Sequence, residues 1–429
     1  MTLDRIPAIV PALQPPAVIG AGALGKLVFD GADPAHLQAW LAQHKLPSDP
    51  ATHFDLGLIQ LFAGRRDQAL RLQSQALQAQ PLYRVAGLQP PPAQPRLRLL
   101  ALVAPGDLMV NTPLEFILTG SDVTLDLLYL QPGVPLPAAM PEHDVAFTAV
   151  CQSEENDAVL ERLVPLVRAW PRPVINDPAQ LLRLSREQAC LLLRGASGIA
   201  IPPTRRLPRA VVQAWTQSPA PAMPAPPFII RPLGSHAGHG LAKIAAPAEL
   251  APHLAEHPTV AEFYVAPYVD YQGGDGQFRK YRIVFIDRQP FLCHLAIARD
   301  WMVHYVGADM ATEARNRAEE ERAMATFDHD FARRHAAAFY ALHQRFGLDY
   351  FGIDCAETQS GELLIFEVAS AMVIHAMDSP QLYPYKQAQM RKTFAAFHGL
   401  LDGIAGTRLA GTAAAAPVLR AQPEAAPCP

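Results

Sequence analysis

Phe351-Gly352-Ile353-Asp354 and Leu363-Leu364-Ile365-Phe366-Glu367 are two short apolar runs, each ending on a carboxylate and joined through the turn Gln359-Ser360-Gly361. The pattern predicts a β-hairpin. Asp354 and Glu367 are 13 residues apart, so such a hairpin can set them side by side. Two adjacent carboxylates repel, and one of the two pKa values rises. A divalent cation removes that penalty, and magnesium is commonly held by one or two carboxylates together with phosphate oxygens. The plainer reading is that each carboxylate caps a loop or pairs with an arginine.

Upstream, Phe228-Ile229-Ile230-Arg231-Pro232 reads as a buried strand ending in a cation. Leu233-Gly234-Ser235-His236-Ala237-Gly238-His239-Gly240 follows, and then the apolar Leu241–Ile244. A strand, a glycine loop and a second strand form a hairpin whose backbone N–H groups can close over phosphates, because glycine leaves them unobstructed. Any tight hairpin also uses glycines. Thr259–Val265 is a further strand carrying Glu262 and Tyr264, and Lys280, Arg282 and Ile283–Ile286 add positive charge on another.

Further out, Leu97–Val103, Thr124–Leu130 and Val145–Val150 read as strands, and Asp157–Trp170 has the 3.6-residue period of a helix. Strands alternating with helices predict a parallel α/β sheet. Residues 34–88 read as helices. From Asp55, the residues Leu56, Gly57, Gly64, Ala69, Ala76 and Pro81 fall at the offsets of one tetratricopeptide repeat. A stable array needs about three repeats, so a helical hairpin docked on the larger domain is the plainer expectation. Five regions follow: an irregular Pro/Ala-rich 1–33, a helical 34–95 ending in the proline run 89–95, an α/β domain 96–175, a second domain 176–402, and a disordered Ala/Pro-rich tail 403–429.

Two other patterns carry less. Gly20-Ala21-Gly22-Ala23-Leu24-Gly25 satisfies G-x-G-x-x-G, but the preceding stretch is broken by prolines and no long helical pattern opens at Gly25, so a loop is expected. His253 and His257 stand four apart between Pro252 and Pro258, and His236 and His239 lie in the glycine loop. Both pairs read as ordinary histidines without the carboxylate or thiolate company of a metal site.

Composition narrows the function. Half the residues are hydrophobic, and 36 Lys+Arg against 40 Asp+Glu give a net charge of −4. That balance argues against nucleic acid or an acidic membrane as partner. Proline, at 42 of 429 residues, is about twice its usual share. The five cysteines are scattered, with no C-x-x-C pair, which fits a reducing, cytoplasmic setting better than a disulfide framework. Ile6–Gly25 is uncharged but carries four prolines, which break a signal or membrane helix.

Taken in order, these motifs resemble the ATP-grasp superfamily, above all its glutathione-synthetase and peptide glutamate-ligase branch, over about Leu97 to Leu401. Gly198-Ile199-Ala200-Ile201-Pro202-Pro203-Thr204 is similar to the G-I-x-V-P-x-T opening of that family's nucleotide domain. The resemblance implies an α/β architecture: a Rossmann-like domain followed by the ATP-grasp domain, with a small helical region in front. It implies ATP and Mg2+ as cofactors. Arg231 stands in place of the lysine that contacts ATP phosphates. Ser235, Gly238 and Gly240 match the loop over those phosphates. Glu262, Tyr264 and Val265 match the hinge strand at adenine. Arg282 matches the arginine of D-x-R, with Lys280 in place of the aspartate, and Arg299 falls where a further basic active-site residue is often found. Asp354 and Glu367 match the magnesium carboxylates. An earlier family lysine is missing, and Arg186 stands near its place. Where the family has E-x-N, this chain has Glu367-Val368-Ala369.

The expected activity is an ATP-dependent carboxylate–amine ligase working through an acyl phosphate, on an amino acid or peptide. Arg299, His304 and His375 fall near the acceptor side, flanked by Trp301 and Tyr305. An alternative, motivated by Ala369, is an ATP-grasp module that has lost turnover and engages a protein or peptide through residues 34–88. Another is a phosphotransferase that stops at a phosphorylated product. A homodimer is implied by the resemblance alone.

Overall fold

A computed structural model describes residues 6–88, 95–217, 223–235, 238–305 and 308–413, with side chains to 406. The fold is α/β, with three larger sheets. A six-stranded sheet runs in the order Ala17–Val18, Leu82–Val85, Val123–Tyr129, Leu97–Val103, Val145–Thr148 and Val174–Ile175. All its pairings are parallel except that of 82–85 with 123–129. Both faces of its central strands are covered, which is why 97–103 is an almost unbroken apolar run.

One face packs against the helices Pro50–Phe62 and Arg66–Ala79, through Phe54, Leu58, Ile59, Ala76 and Leu77. These two form the expected helical hairpin. A Cβ on Gly57 would stand 3.1 Å from the Ala69 carbonyl oxygen, so the small residue is what lets the helices approach. The hairpin shares its core with the sheet and does not stand apart from it.

Three expectations need correction. Residues 82–85, read as helix, form a strand, because Arg84 pairs across to Asp126 through two 2.8 Å bonds. The N-terminal stretch is not irregular throughout. Ala8–Val10 pairs with Ala139–Pro141, Ala17–Val18 joins the large sheet, and a helix opens over Ala21–Phe29. The last helix, Lys386–Ala413, runs past the expected boundary at 402, its alanines and leucines being strong helix formers and Ile404 and Ala405 packing on the core. The rest of the expected tail and the proline linker 89–94 lie outside the described residues.

The carboxylate-bearing hairpin sits in a five-stranded sheet ordered Gln289–Ala298, Phe278–Ile286, Tyr350–Glu357, Leu363–Ala369 and Ile199–Ala200. The glycine loop belongs to a four-stranded antiparallel sheet ordered Arg205–Pro208, Glu262–Pro267, Phe228–Pro232 and Ala242–Ile244. The smaller sheet has its own core around Trp215, Phe228, Ile230 and Phe263. Among the described residues no helix is long and apolar enough to cross a membrane.

Candidate functional site

A cavity of about 500 Å3 lies between the four- and five-stranded sheets, with Cys151–Glu154, after strand 145–148, contributing a third side. Its walls are apolar where Ile201, Ile229, Val265 and Leu364 face it, and charged at the strand ends. The charge has a simple origin. In a strand successive side chains alternate in direction, so residues two apart share a face. Lys280 and Arg282 therefore both reach the cavity from strand 278–286.

Asp354 lies opposite Arg282 on one side and Glu367 on the other, in direct register. Arg282 grips Asp354 with Nε on Oδ1 at 2.8 Å and a terminal nitrogen on Oδ2 at 3.0 Å, while Lys280 Nζ donates to Oδ2 at 3.2 Å. Arg282 also donates to the Val373 carbonyl. Arg186, at the first turn of helix Arg186–Leu193, donates to Glu367 Oε1 and to the Phe366 carbonyl, each at 3.0 Å. The paired carboxylates and the arginine partners, offered above as alternatives, are thus both present.

The electrostatics follow. Asp354 is only 5% exposed, and burial alone would push its carboxyl up. Arg282 and Lys280 outweigh burial and hold it well below the usual carboxylate range. Glu367 is lowered in the same sense, burial being outweighed chiefly by Arg186. Arg231 shows the opposite strain: burial, then the neighbouring Arg186, pull its guanidinium down to about 10. That is a cation with too little counter-charge, and a bound anion would supply it.

Arg231 also clasps its own loop, donating from Nε to Ser235 Oγ at 3.3 Å and from a terminal nitrogen to the Ser235 carbonyl. Gly234, Gly238 and Gly240 all have φ between 65° and 77°. A Cβ on Gly238 would stand 3.7 Å from Met302 Sδ, so the loop meets the 301–304 segment over the cavity. Tyr264 also lines the cavity, and its hydroxyl donates to Glu154 at 3.0 Å.

The structure therefore gathers Arg186, Arg231, Ser235, Gly238, Tyr264, Val265, Arg282, Asp354 and Glu367 around one cavity. Gly240 sits just behind it, against Pro232. Two expected site residues are elsewhere. Glu262 turns outward to pair with Arg206 of the edge strand, at 3.0 Å. Arg299 is exposed in a separate recess with Lys243, Asp270 and Asp300, which shares only Tyr268 and Trp301 with the main cavity. His304 lines the cavity, while His375 does not. Lys280, which marks a departure from the family pattern, is a full member of the charged cluster. Cys151–Glu154 carries no motif, and nothing in its spacing announced it.

The donor chemistry suits one magnesium ion. Asp354 and Glu367 stand at paired positions, and Asp354 Oδ1 receives one hydrogen bond where it can take two. Ala369 offers no oxygen donor from its side chain. Among the four basic and three acidic groups around the cavity, the excess is positive.

No protein-family model matches the chain, and no curated protein matches it. Among solved structures, the chain is similar to a RimK domain ATP-grasp protein from Sphaerobacter thermophilus at 17% identity and a TM-score of 0.39, covering 71% of this chain and 99% of that one. It is similar to the D-alanine-D-alanine ligase of Coxiella burnetii at 10% identity and a TM-score of 0.46, covering 74% and 98%. The VanG D-Ala:D-Ser ligase of Enterococcus faecalis is similar at 14% identity and a TM-score of 0.44, covering 72% and 100%. Likenesses this loose fix neither an activity nor a substrate for this chain.

Proposed function

We propose that this chain is an ATP-grasp carboxylate–amine ligase, with ATP in the cavity between the two sheets and an amino acid or peptide as substrate. The observation that supports it most is the surplus of half-buried cation. Arg186, Arg231, Lys280 and Arg282 converge on Asp354 and Glu367, with Glu154 as the third carboxylate of the cavity, so positive charge is in excess beside a glycine loop and an apolar wall. A polyphosphate with a flat apolar base attached has the complementary form.

A carboxylate is a poor acyl donor. In the proposed reaction a carboxylate oxygen attacks the γ-phosphorus, the bond to the β-phosphate oxygen breaks, and ADP leaves an acyl phosphate. The amine then attacks the acyl carbon, phosphate departs with the bonding pair, and the amine loses a proton. Phosphoryl transfer asks the protein chiefly for positioning and charge neutralisation. Arg231 and Arg186 would bind phosphate oxygens. Arg282, fixed by Asp354 and the Val373 carbonyl, would stabilise the oxyanion of the second step. Asp354 and Glu367 would hold magnesium, which supplies charge neutralisation at the phosphates.

Thermal melting with ATP and with ADP, each with and without magnesium, tests the reading. A ligand that binds only the folded state adds about 2.7 kcal/mol at 100 times its dissociation constant. The expected result is a nucleotide-specific rise in Tm that magnesium increases, followed by amine-dependent phosphate release when amino acids and dipeptides are supplied. No rise at saturating nucleotide would overturn the assignment of the cavity.

A further inference from the structure

The cavity does not absorb a second cluster on the far side of the glycine loop. His253, Glu256 and His257 each offer a metal-ligand atom, and these atoms all lie within 4.8 Å of one another. They come from the short helix Leu250–Glu256 and the residue that follows it. Four-residue spacing puts the two histidines on one face, and Glu256 sits three after His253 on the same side. The pair read from sequence as lacking a carboxylate therefore has one, from the residue between them.

We infer that His253, Glu256 and His257 form a binding site for a divalent transition metal of the zinc class. Three observations carry it. The His253 side chain is 8% exposed, and its Nε2 is buried with no hydrogen-bond partner. An unpaired buried polar atom is costly, and coordination would relieve it. The backbone beneath the cluster is fixed by Arg209, which donates to the carbonyls of Leu254 at 2.8 Å, His257 at 2.7 Å and Val260 at 3.2 Å. The donor set of two imidazoles and one carboxylate suits zinc, whereas magnesium and calcium prefer oxygen alone.

The fit needs only side-chain rotation. Zinc–ligand distances of about 2.0–2.2 Å bring tetrahedral donors to roughly 3.4 Å from one another, and Glu256 is exposed and His257 half-buried, so both can move. Three protein ligands leave a fourth position for water. The site lies behind the loop: a Cβ on Gly240 would stand 3.0 Å from His257 Cε1. It does not depend on the nucleotide assignment.

The experiment is calorimetric titration of the full chain with zinc chloride, alongside cobalt chloride for its visible spectrum, in excess magnesium. One zinc per chain is expected, with tetrahedral cobalt bands and no competition from magnesium. His257→Ala should abolish the bands and weaken zinc by about tenfold or more, and Glu256→Ala, at an exposed position, should weaken it by a smaller factor. Far-UV circular dichroism verifies that each variant is folded. Absence of saturable binding, binding unchanged in both folded variants, or displacement by magnesium would each overturn the site. None of these readouts requires nucleotide or turnover, so failure here and failure of the ligase reading are separable.

Discussion

Gly20–Gly25 and Gly234–Gly240 are both glycine-rich segments that follow a short strand, and the molecule uses them in opposite ways. At the first, helix 21–29 presents its open N-terminal N–H groups, the usual place for a bound anion. Here the protein's own carboxyl groups take that place. Asp55 accepts from the N–H of Ile19 at 2.9 Å and of Gly20 at 3.1 Å, and Glu115 accepts from Gly22 at 3.0 Å. Glycine is required for that approach, since a Cβ on Gly20 would stand 2.3 Å from Glu115 Oε2. At the second, no carboxylate accepts from the loop among the described residues, and Arg231 waits beside it. One loop is closed by carboxylates, the other faces an excess of cations. A glycine motif thus reports backbone access, and the neighbouring charges decide whether a ligand can use it.

The largest expected effect tests the charged cluster itself. Arg282→Met leaves Asp354, nearly fully buried, with Lys280 alone. Breaking a buried pair from one side typically costs about 3–5 kcal/mol, and nucleotide-dependent turnover should be lost. Urea unfolding and phosphate release measure the two. Intact turnover would remove Arg282 from the site.

Next is Asp55→Ala, which takes the acceptor away from two buried N–H groups. At about 1–3 kcal/mol per unsatisfied group, a loss of roughly 2–6 kcal/mol is expected, again by urea unfolding. The Tm increment caused by ATP should be unchanged. A lost increment would reverse the comparison and make the first loop the phosphate site.

Gly240→Ala sharpens it from the other side. Gly240 has φ of 65°, and a Cβ there would meet Pro232 Cδ at 2.7 Å. The left-handed backbone alone costs an ordinary residue about 1–2 kcal/mol. If the loop must keep its shape to cover phosphates, affinity falls by about tenfold, since 1.4 kcal/mol is one decade. Titrating ATP against the variant reads it directly.

What the sequence made legible was local. The 353–367 hairpin, strand 228–232 and the two-residue spacing of Lys280 and Arg282 could be read because alternation and turns act over a few residues. What it hid depends on distant partners. Strand 82–85 is set by Asp126, 42 residues from Arg84, and the first glycine segment becomes a helix start through Asp55 and Glu115, 35 and 93 residues from the N–H groups they accept. Glu262 fell on the right strand but faces Arg206 on its neighbour, a choice made by the pairing of Arg205–Pro208 with that strand. Glu256 was overlooked for a different reason: it lay inside the histidine spacing in plain view, and only its position beside both rings shows it as their partner.

The smallest effect concerns pH, and it follows from the closed loop. Burial pushes the Glu115 carboxyl up to about 7, against the Gly22 N–H, which lowers it, and Asp55, which raises it further. Its value in the unfolded chain is near 4.5. Between those two values the unfolded chain gives up a proton that the folded chain keeps, so the folded state is favoured below about 4.5 and loses that advantage as pH rises through 7. Glu115→Gln keeps an oxygen to accept from Gly22 and removes the titration. Against the wild type, its Tm should fall less steeply from pH 4.5 to 7, with the two curves parallel above. Among the described residues the open loop has no carboxylate on its N–H groups, so this pH dependence belongs to the first segment, and parallel curves across the whole range would show that Glu115 does not carry a buried proton there.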